Sequence, residues 1–447
     1  MYRMKVLPVI FCLWVIFGGR MVYAHEAEYP SSTIEVEGFH NPGSIHDGNR
    51  DTYSDSGEEG VVTVSLSEGI GALYIEFDRI PTEWTLTNPA TGISIACGRN
   101  SFLHEFVDTA DLFQDLPQTL VMSFDANTVV ADIYVFSEGE LPDWVQIWQP
   151  PCEQADLLLL STHSDDEQLF FAGILPYYAV ERELKVQVVY GVQHFERNKV
   201  ENHQRPHEQL DGLWTVGIRN YPVMSDFPDL YAESKDREVA FAEASAEFAQ
   251  AGVTYEDFVA YITECLRRFK PLVAVTHDLN GEYGHGAHVI CSMAMTEAIS
   301  SAADASQYPD SAKEYGIWQV KKLYLHLYEK NRIVMDFDVP LESFEGKTAF
   351  EVSQEGFACH VSQHWTWFNE WLNGTKENPI RRAADIETYS PCLYGLYYSE
   401  VGPDVEGGDF FEHIETYAER TRAQKQRMLL SVNLLKLACF NLLQVIY

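Results

Sequence analysis

The chain is short of positive charge. Its 447 residues hold 31 Lys and Arg against 67 Asp and Glu, a formal net charge of −36. Phosphate backbones are bound through Lys and Arg, so this balance excludes a nucleic-acid partner. It favours solubility and neutral or cationic ligands. Cysteine is sparse and scattered. The eight, at positions 12, 97, 152, 265, 291, 359, 392 and 439, form no Cys-x-x-Cys pair and no disulfide framework. Buried small hydrophobes is their expected role, and Cys97 with Cys152 is the one bridge left open. A long uncharged apolar run is also lacking. The Val6 to Gly19 run is too short to cross a bilayer. Met428 to Tyr447 is apolar but carries Lys436, which is costly in lipid, so a docked amphipathic helix is expected there.

What is present points to an exported, multidomain protein. Arg3 and Lys5 precede the apolar run, and Val22-Tyr23-Ala24 forms a cleavage-like site. Residues 1–24 therefore read as a secretory leader. The length suits two or three domains, and 46% hydrophobic residues suffice for large cores.

Two segments carry chemistry. Leu157 to Glu167 reads Leu-Leu-Leu-Leu-Ser-Thr-His-Ser-Asp-Asp-Glu, an apolar run that ends in one histidine and three acids. Thr276 to His288 reads Thr-His-Asp-Leu-Asn-Gly-Glu-Tyr-Gly-His-Gly-Ala-His and follows the apolar Leu272 to Val275. Alone, Asp-Asp-Glu fits a solvated helix N-terminus, and the second segment fits a glycine-rich turn with packing histidines. Together they follow two strand-like runs, where open α/β sheets place their sites. A catalytic zinc takes about three protein ligands and leaves a position for water. His163 and Asp166 can supply two, His288 the third. Asp165 is then left as a base, and His285 can face a substrate oxygen. Zinc would lower the pKa of its water from about 15.7 towards about 7, within reach of a carboxylate.

His163-Ser164-Asp165-Asp166-Glu167 resembles the His-Pro-Asp-Asp-Glu signature of the LmbE/PIG-L deacetylases, zinc enzymes that remove acetyl groups from N-acetylglucosamine-type sugars. Gly281 to His288 is similar to that family's Gly-x-Tyr-Gly-His-Pro-Asp-His motif. Arg205-Pro206-His207-Glu208, ahead of Gly217-Ile218, is similar to its Arg-x-x-Glu helix. The resemblance covers roughly Ala155 to Leu327 and loosely continues to Phe411. It implies His163, Asp166 and His288 as ligands of one zinc per chain, and Asp165 as the general base. It implies His285 as the histidine that polarises the amide or protonates the amine. Tyr283 would assist at the oxyanion, Arg205 would hold sugar hydroxyls, and Glu167 would be a structural cap. Three departures stand out. Ser164 replaces a proline, and Gly286 and Ala287 replace Pro and Asp. That aspartate would orient His285; Asp278 or Glu282 could take its place.

Residues 25–150 read as all-β. Val62, Val64 and Leu66 alternate, as do Leu73, Ile75 and Phe77, and Ile133 and Val135. Ile45 to Tyr53, with Asp47-Gly48-Asn49, resembles the entry of discoidin-like (galactose-binding-like) jelly rolls. An unrelated sandwich with an Asp-Gly turn is the alternative. The resemblance implies sugar binding or a supporting wing, with Asp47 and nearby carbonyls as a candidate Ca²⁺ site.

After a Pro142 to Pro151 linker, residues 151–415 alternate strands and helices. Strands are expected at 157–161, 184–190, 272–276 and 322–327, and helices at 167–183, 202–214, 236–250, 255–269 and 288–302. The fold class is thus α/β, a Rossmann-like, mainly parallel sheet flanked by helices, preceded by an all-β jelly-roll sandwich. Trp365, Trp367, Trp371, Tyr394 and Tyr397 are candidates for a sugar-stacking wall, with core or lid packing as the plainer role. Residues 416–447 form a helical tail.

The leading expectation is a secreted zinc deacetylase acting on an N-acetylglucosamine-containing sugar or glycoconjugate, with no membrane association. A catalytically decayed glycan-binding protein and a zinc amidase for a non-sugar amide are the alternatives. A His₂Asp site also accepts Fe²⁺ or Co²⁺.

Overall fold

The structure, a computed structural model, describes residues 32–113, 115–193 and 201–426. The leader at 1–24, Cys12, Cys439 and the apolar stretch from Met428 lie outside these residues. The chain divides into two compact units, Met1–Gln146 and Ile147–Tyr447, a few residues before the expected boundary. No helix among the described residues is long and apolar enough to cross a membrane.

Among the described residues the first unit holds nine strands: β1 Thr33–Glu37, β2 Ser54–Asp55, β3 Glu59–Ser65, β4 Ala72–Phe77, β5 Trp84–Asn88, β6 Ile93–Cys97, β7 His104–Asp108, β8 Thr119–Asp125 and β9 Val129–Phe136. They form two antiparallel sheets, β1-β3-β8-β5-β6 and β2-β9-β4-β7. The strict alternation of β3 buries Val62 and Val64 on one face. The sheets meet where Phe77 of one packs edge-on against Phe124 of the other, 6.2 Å apart. Asp47 spends its carboxylate inside its own loop, taking the Asn49 N–H at 2.9 Å and the Thr52 hydroxyl at 2.8 Å. Trp144 packs on Tyr74, Tyr134 and Phe136 of this unit. Trp148 packs on Trp214 and Tyr221 of the second. The linker residues are therefore anchored, one on each side.

Among the described residues the second unit is built on six strands: β10 Leu157–Ser161, β11 Val186–Tyr190, β12 Val273–Thr276, β13 Lys322–His326, β14 Arg332–Val334 and β15 Leu393–Ser399. Their order is β11-β10-β12-β13-β15-β14. The first four run parallel, and β15 is antiparallel to both its neighbours. Every residue of β10, β11 and β12 is buried. That is why β10 and β12 read as apolar runs rather than alternating ones. β10 and β12 are direct neighbours, Leu157 opposite Val273, so their carboxyl ends open side by side.

The helices lie close to expectation. Arg237–Gln250 is capped by Asp236, and Tyr255–Phe269 starts with a Thr254–Asp257 capping box. Gly286–Ala303 begins two residues earlier than expected, with His285 as its cap. One helix is corrected. The 167–183 stretch is a series of turns ending in a π-helical Pro176–Glu181. Gly173 has φ 96°, which a regular helix cannot take, and it lies so near Phe337 that a Cβ there would come within 2.3 Å. Pro176 removes a further backbone donor.

Candidate metal centre

Parallel pairing sets the stage. The loop after β10 carries His163 to Glu167, and the loop after β12 carries His277 to His288. His163 N donates to Asp166 Oδ2 at 2.7 Å, folding the loop back on itself. That turn aims His163 Nδ1 and Asp166 Oδ2 at one point, 3.1 Å apart. His288, in the first turn of the Gly286–Ala303 helix, completes the group. Its Nε2 lies 3.2 Å from His163 Nδ1 and 3.2 Å from Asp166 Oδ2. A tetrahedral ion with bonds of about 2.0–2.1 Å holds its ligand atoms about 3.3 Å apart. The three donors therefore fit the face of such a site, and all three residues are buried.

Two other histidines stand close. His277 stacks on His288 with centroids 4.2 Å apart, and its Nε2 is 3.6 Å from Asp166 Oδ2. His285 lies 4.9 Å from both His163 and His288, centroid to centroid. Its Nδ1 accepts the Ala287 N–H at 3.3 Å, so the neutral ring carries its proton on Nε2. Neither Glu282 nor Asp278 replaces the motif's missing aspartate beside His285, which corrects the expectation. Glu282 is turned the other way and is fully buried. Its Oε2 lies 2.8 Å from Nδ1 of His277 and 2.8 Å from Nδ1 of His288, and its Oε1 lies 2.6 Å from His326 Nδ1. Burial would raise the Glu282 pKa, but the histidines, His277 foremost, hold it well below the usual range.

Electrostatics follow from these contacts. Burial opposes charge on His163, yet Asp166 and Asp229 outweigh it and lift its pKa to about 10. His288 rises to about 9, with Asp166 again overcoming burial. Burial would likewise raise Asp166, but His288 and His163 keep it well below the usual carboxylate range. Asp165 is pushed up by burial, with Arg205 opposing. The Arg205 guanidinium reaches it at 3.4 Å. Burial, then the neighbouring His163 and His288, hold His285 well below its ordinary value.

Two further roles are corrected. Glu167 is no helix cap. It is buried beneath the loop, with Ser161 Oγ at 3.5 Å and His360 Nε2 at 3.7 Å, and burial pushes its pKa up to about 8. The aromatic wall is only partly there. Trp367 is half exposed and packs on Tyr283 at 5.7 Å, and Trp371 packs on Phe170. Tyr394 is fully buried, and Tyr397 packs on Tyr328. Tyr283 itself sits at φ 50° and lies 5.3 Å from His285 and 5.5 Å from His288. Cys97 and Cys152 are both free. Asp229, whose Oδ1 lies 3.1 Å from His163 Nε2, was missed by sequence reasoning, because no motif surrounds it. His326 and His360, at the end of β13 and after the Ala349–Ala358 helix, were missed likewise.

Comparison with known proteins finds likenesses within the second unit. Residues 158–299 match the model of the PIG-L family, described as GlcNAc-PI de-N-acetylase. A 1D-myo-inositol 2-acetamido-2-deoxy-alpha-D-glucopyranoside deacetylase 2 from Saccharopolyspora erythraea is 31% identical over 169 residues, 38% of this chain and 51% of its own length. A similarly named deacetylase from Streptomyces scabiei is 24% identical over 41% of this chain and 58% of its own. The chain thus spans little more than half the length of these curated relatives. Among solved structures, N,N'-diacetylchitobiose deacetylase from Pyrococcus horikoshii aligns over 50% of this chain and 78% of its own, at 15% identity and a TM-score of 0.35. Residues 158–299, within the second unit, are thus similar to deacetylases, hydrolases that act on amide bonds.

Proposed function

We propose that this chain is a secreted, zinc-dependent deacetylase that removes the N-acetyl group of an N-acetylglucosamine-containing sugar or glycoconjugate. The observation that carries the reading is the triangle of His163 Nδ1, Asp166 Oδ2 and His288 Nε2, with edges of 3.1, 3.2 and 3.2 Å. The family match and the relatives' names support the substrate class.

His163, Asp166 and His288 would hold the ion, which would supply carbonyl polarisation and lower the pKa of a water to about 7. Asp165 is the general base. Its burial raises its basicity, and Arg205 keeps the carboxyl oriented. His285 presents Nε2–H as a donor to the carbonyl oxygen, because Nδ1 is committed to the Ala287 N–H. Asp165, once protonated, is the nearest acid for the departing amine. Tyr283 and Trp367 would flank the sugar, and Arg205 would reach its hydroxyls. The first unit, with its two antiparallel sheets, would serve as a discoidin-like module that binds glycan or supports the fold.

The test is acetate release from N-acetylglucosamine, its short oligomers and its glycosides, by metal-loaded wild type beside His288→Ala. Release by the wild type alone supports the reading. One firmly bound zinc with no release from any sugar would redirect it to another amide, and neither zinc nor release would favour a binding-only protein.

A further inference from the structure

The segment Asp229–Asp236 belongs to no motif, yet it touches the metal centre repeatedly. Asp229 Oδ1 meets His163 Nε2 at 3.1 Å and is itself fixed by the Leu230 N–H at 2.8 Å. Ala232 O accepts the Gly286 N–H at 2.7 Å, and Ser234 N donates to Gly284 O at 2.9 Å. Glu233 and His285 form an antiparallel bridge between these two bonds. The segment thus grips the backbone on both sides of His285.

The glycines around His285 are shaped to this grip. A Cβ on Gly284 would stand 2.4 Å from Ser234 O, and Gly284 has φ 85°. A Cβ on Gly286 would stand 2.9 Å from the Cβ atoms of Ala232 and Ala244 and 3.0 Å from Ala240 O. A proline at 286 would fill that space and abolish the donor to Ala232. The departure from the proline of the resembled motif therefore has a physical partner elsewhere in this chain.

We propose that Asp229–Asp236 is a positioning clamp for the metal centre, with Asp229 as the residue that sets the ring of His163. The proposal rests on the metal reading above. His163 turns Nδ1 towards Asp166 and His288, so its ligand tautomer carries the proton on Nε2, where Asp229 accepts it. A carboxylate in that position fixes the ring's tautomer and rotation and raises ligand basicity. Ala232 and Ser234 hold His285 at the same time, so one segment sets both a ligand and the carbonyl donor.

The experiment is zinc affinity of the full chain, by competition with a chromophoric chelator, for wild type, Asp229→Ala and Asp229→Asn. Loss of such a partner costs about 10–100-fold in metal affinity, and that is the loss expected for Asp229→Ala. Asp229→Asn keeps an oxygen for the Nε2 proton without the charge, so its affinity should fall between the two. This partial rescue is a readout that a merely structural role would not give. Wild-type affinity in both variants overturns the clamp while leaving the metal reading intact. No zinc on the wild type overturns the metal reading, and the clamp with it. Should Asp229→Ala fail to fold, Asp229→Asn decides alone: a several-fold weaker affinity supports the clamp, and an unchanged one overturns it.

Discussion

His277 Nε2 accepts the backbone N–H of Thr162 at 3.0 Å, while its Nδ1 donates to Glu282 Oε2 at 2.8 Å. Both ring nitrogens are thereby committed to the protein. His277, His288 and Asp166 also form a compact triplet, as do His163, His285 and His288. The Thr162 bond decides against His277 as a ligand, because its lone pair points at an amide proton. His285 is set aside by its own Nδ1 bond to Ala287. What remains is His163, Asp166 and His288.

His277→Gln should therefore retain one zinc per chain, whereas His288→Ala should lose it. Metal analysis after dialysis against a weak chelator checks this. Loss of zinc from His277→Gln to the same degree as from His288→Ala would reassign the ligand set.

Asp165→Asn should abolish turnover and leave zinc bound. An amide cannot take a proton from water, but it occupies the same space and still meets Arg205. Turnover within tenfold of wild type would remove Asp165 from the role of base, since general bases contribute about 10²–10⁴-fold.

The metal-free protein should show an alkaline loss of stability. His163 and His288 titrate near about 10 and about 9 when folded, above about 6.5 in the unfolded chain. Raised values mean the folded state holds protons more tightly. The resulting stability is complete below about pH 6.5 and disappears as pH rises through 9 to 10. Zinc competes with those same protons, so its affinity should climb with pH up to about 10. Thermal unfolding in EDTA and zinc titrations across pH 6–10 test both trends, and flat profiles would refute them.

Gly286→Ala should lower stability by about 1–3 kcal/mol, the usual range for overpacking. Its methyl group would press on Ala232, Ala244 and the Ala240 carbonyl. Denaturant unfolding measures the change; a neutral substitution would mean that the packed segments yield easily.

The parallel sheet was legible because its strands are covered on both faces and so read as apolar runs, as Leu157 to Ser161 does. The grouping of His163, Asp166 and His288 was legible because strand-end loops carried these residues in two short stretches. The 167–183 helix was misjudged because its composition is helical while Gly173 takes φ 96° against Phe337, a residue 164 positions away. Asp229 was invisible for a similar reason. Its partner His163 lies 66 residues earlier, and nothing in the local pattern marks an aspartate that meets an imidazole across the fold.

Glu282 joins the end of β12, the start of the Gly286–Ala303 helix and the end of β13 through three imidazoles. His326 passes the link on, its Nε2 meeting Ser390 O at 2.9 Å. An ion that tugs on His288 thus tugs on the same carboxylate that tethers two other stretches. The carboxyl edge of the sheet should respond to metal as one block, and slowed amide exchange on loading should reach Ser390 rather than stop at the ligands.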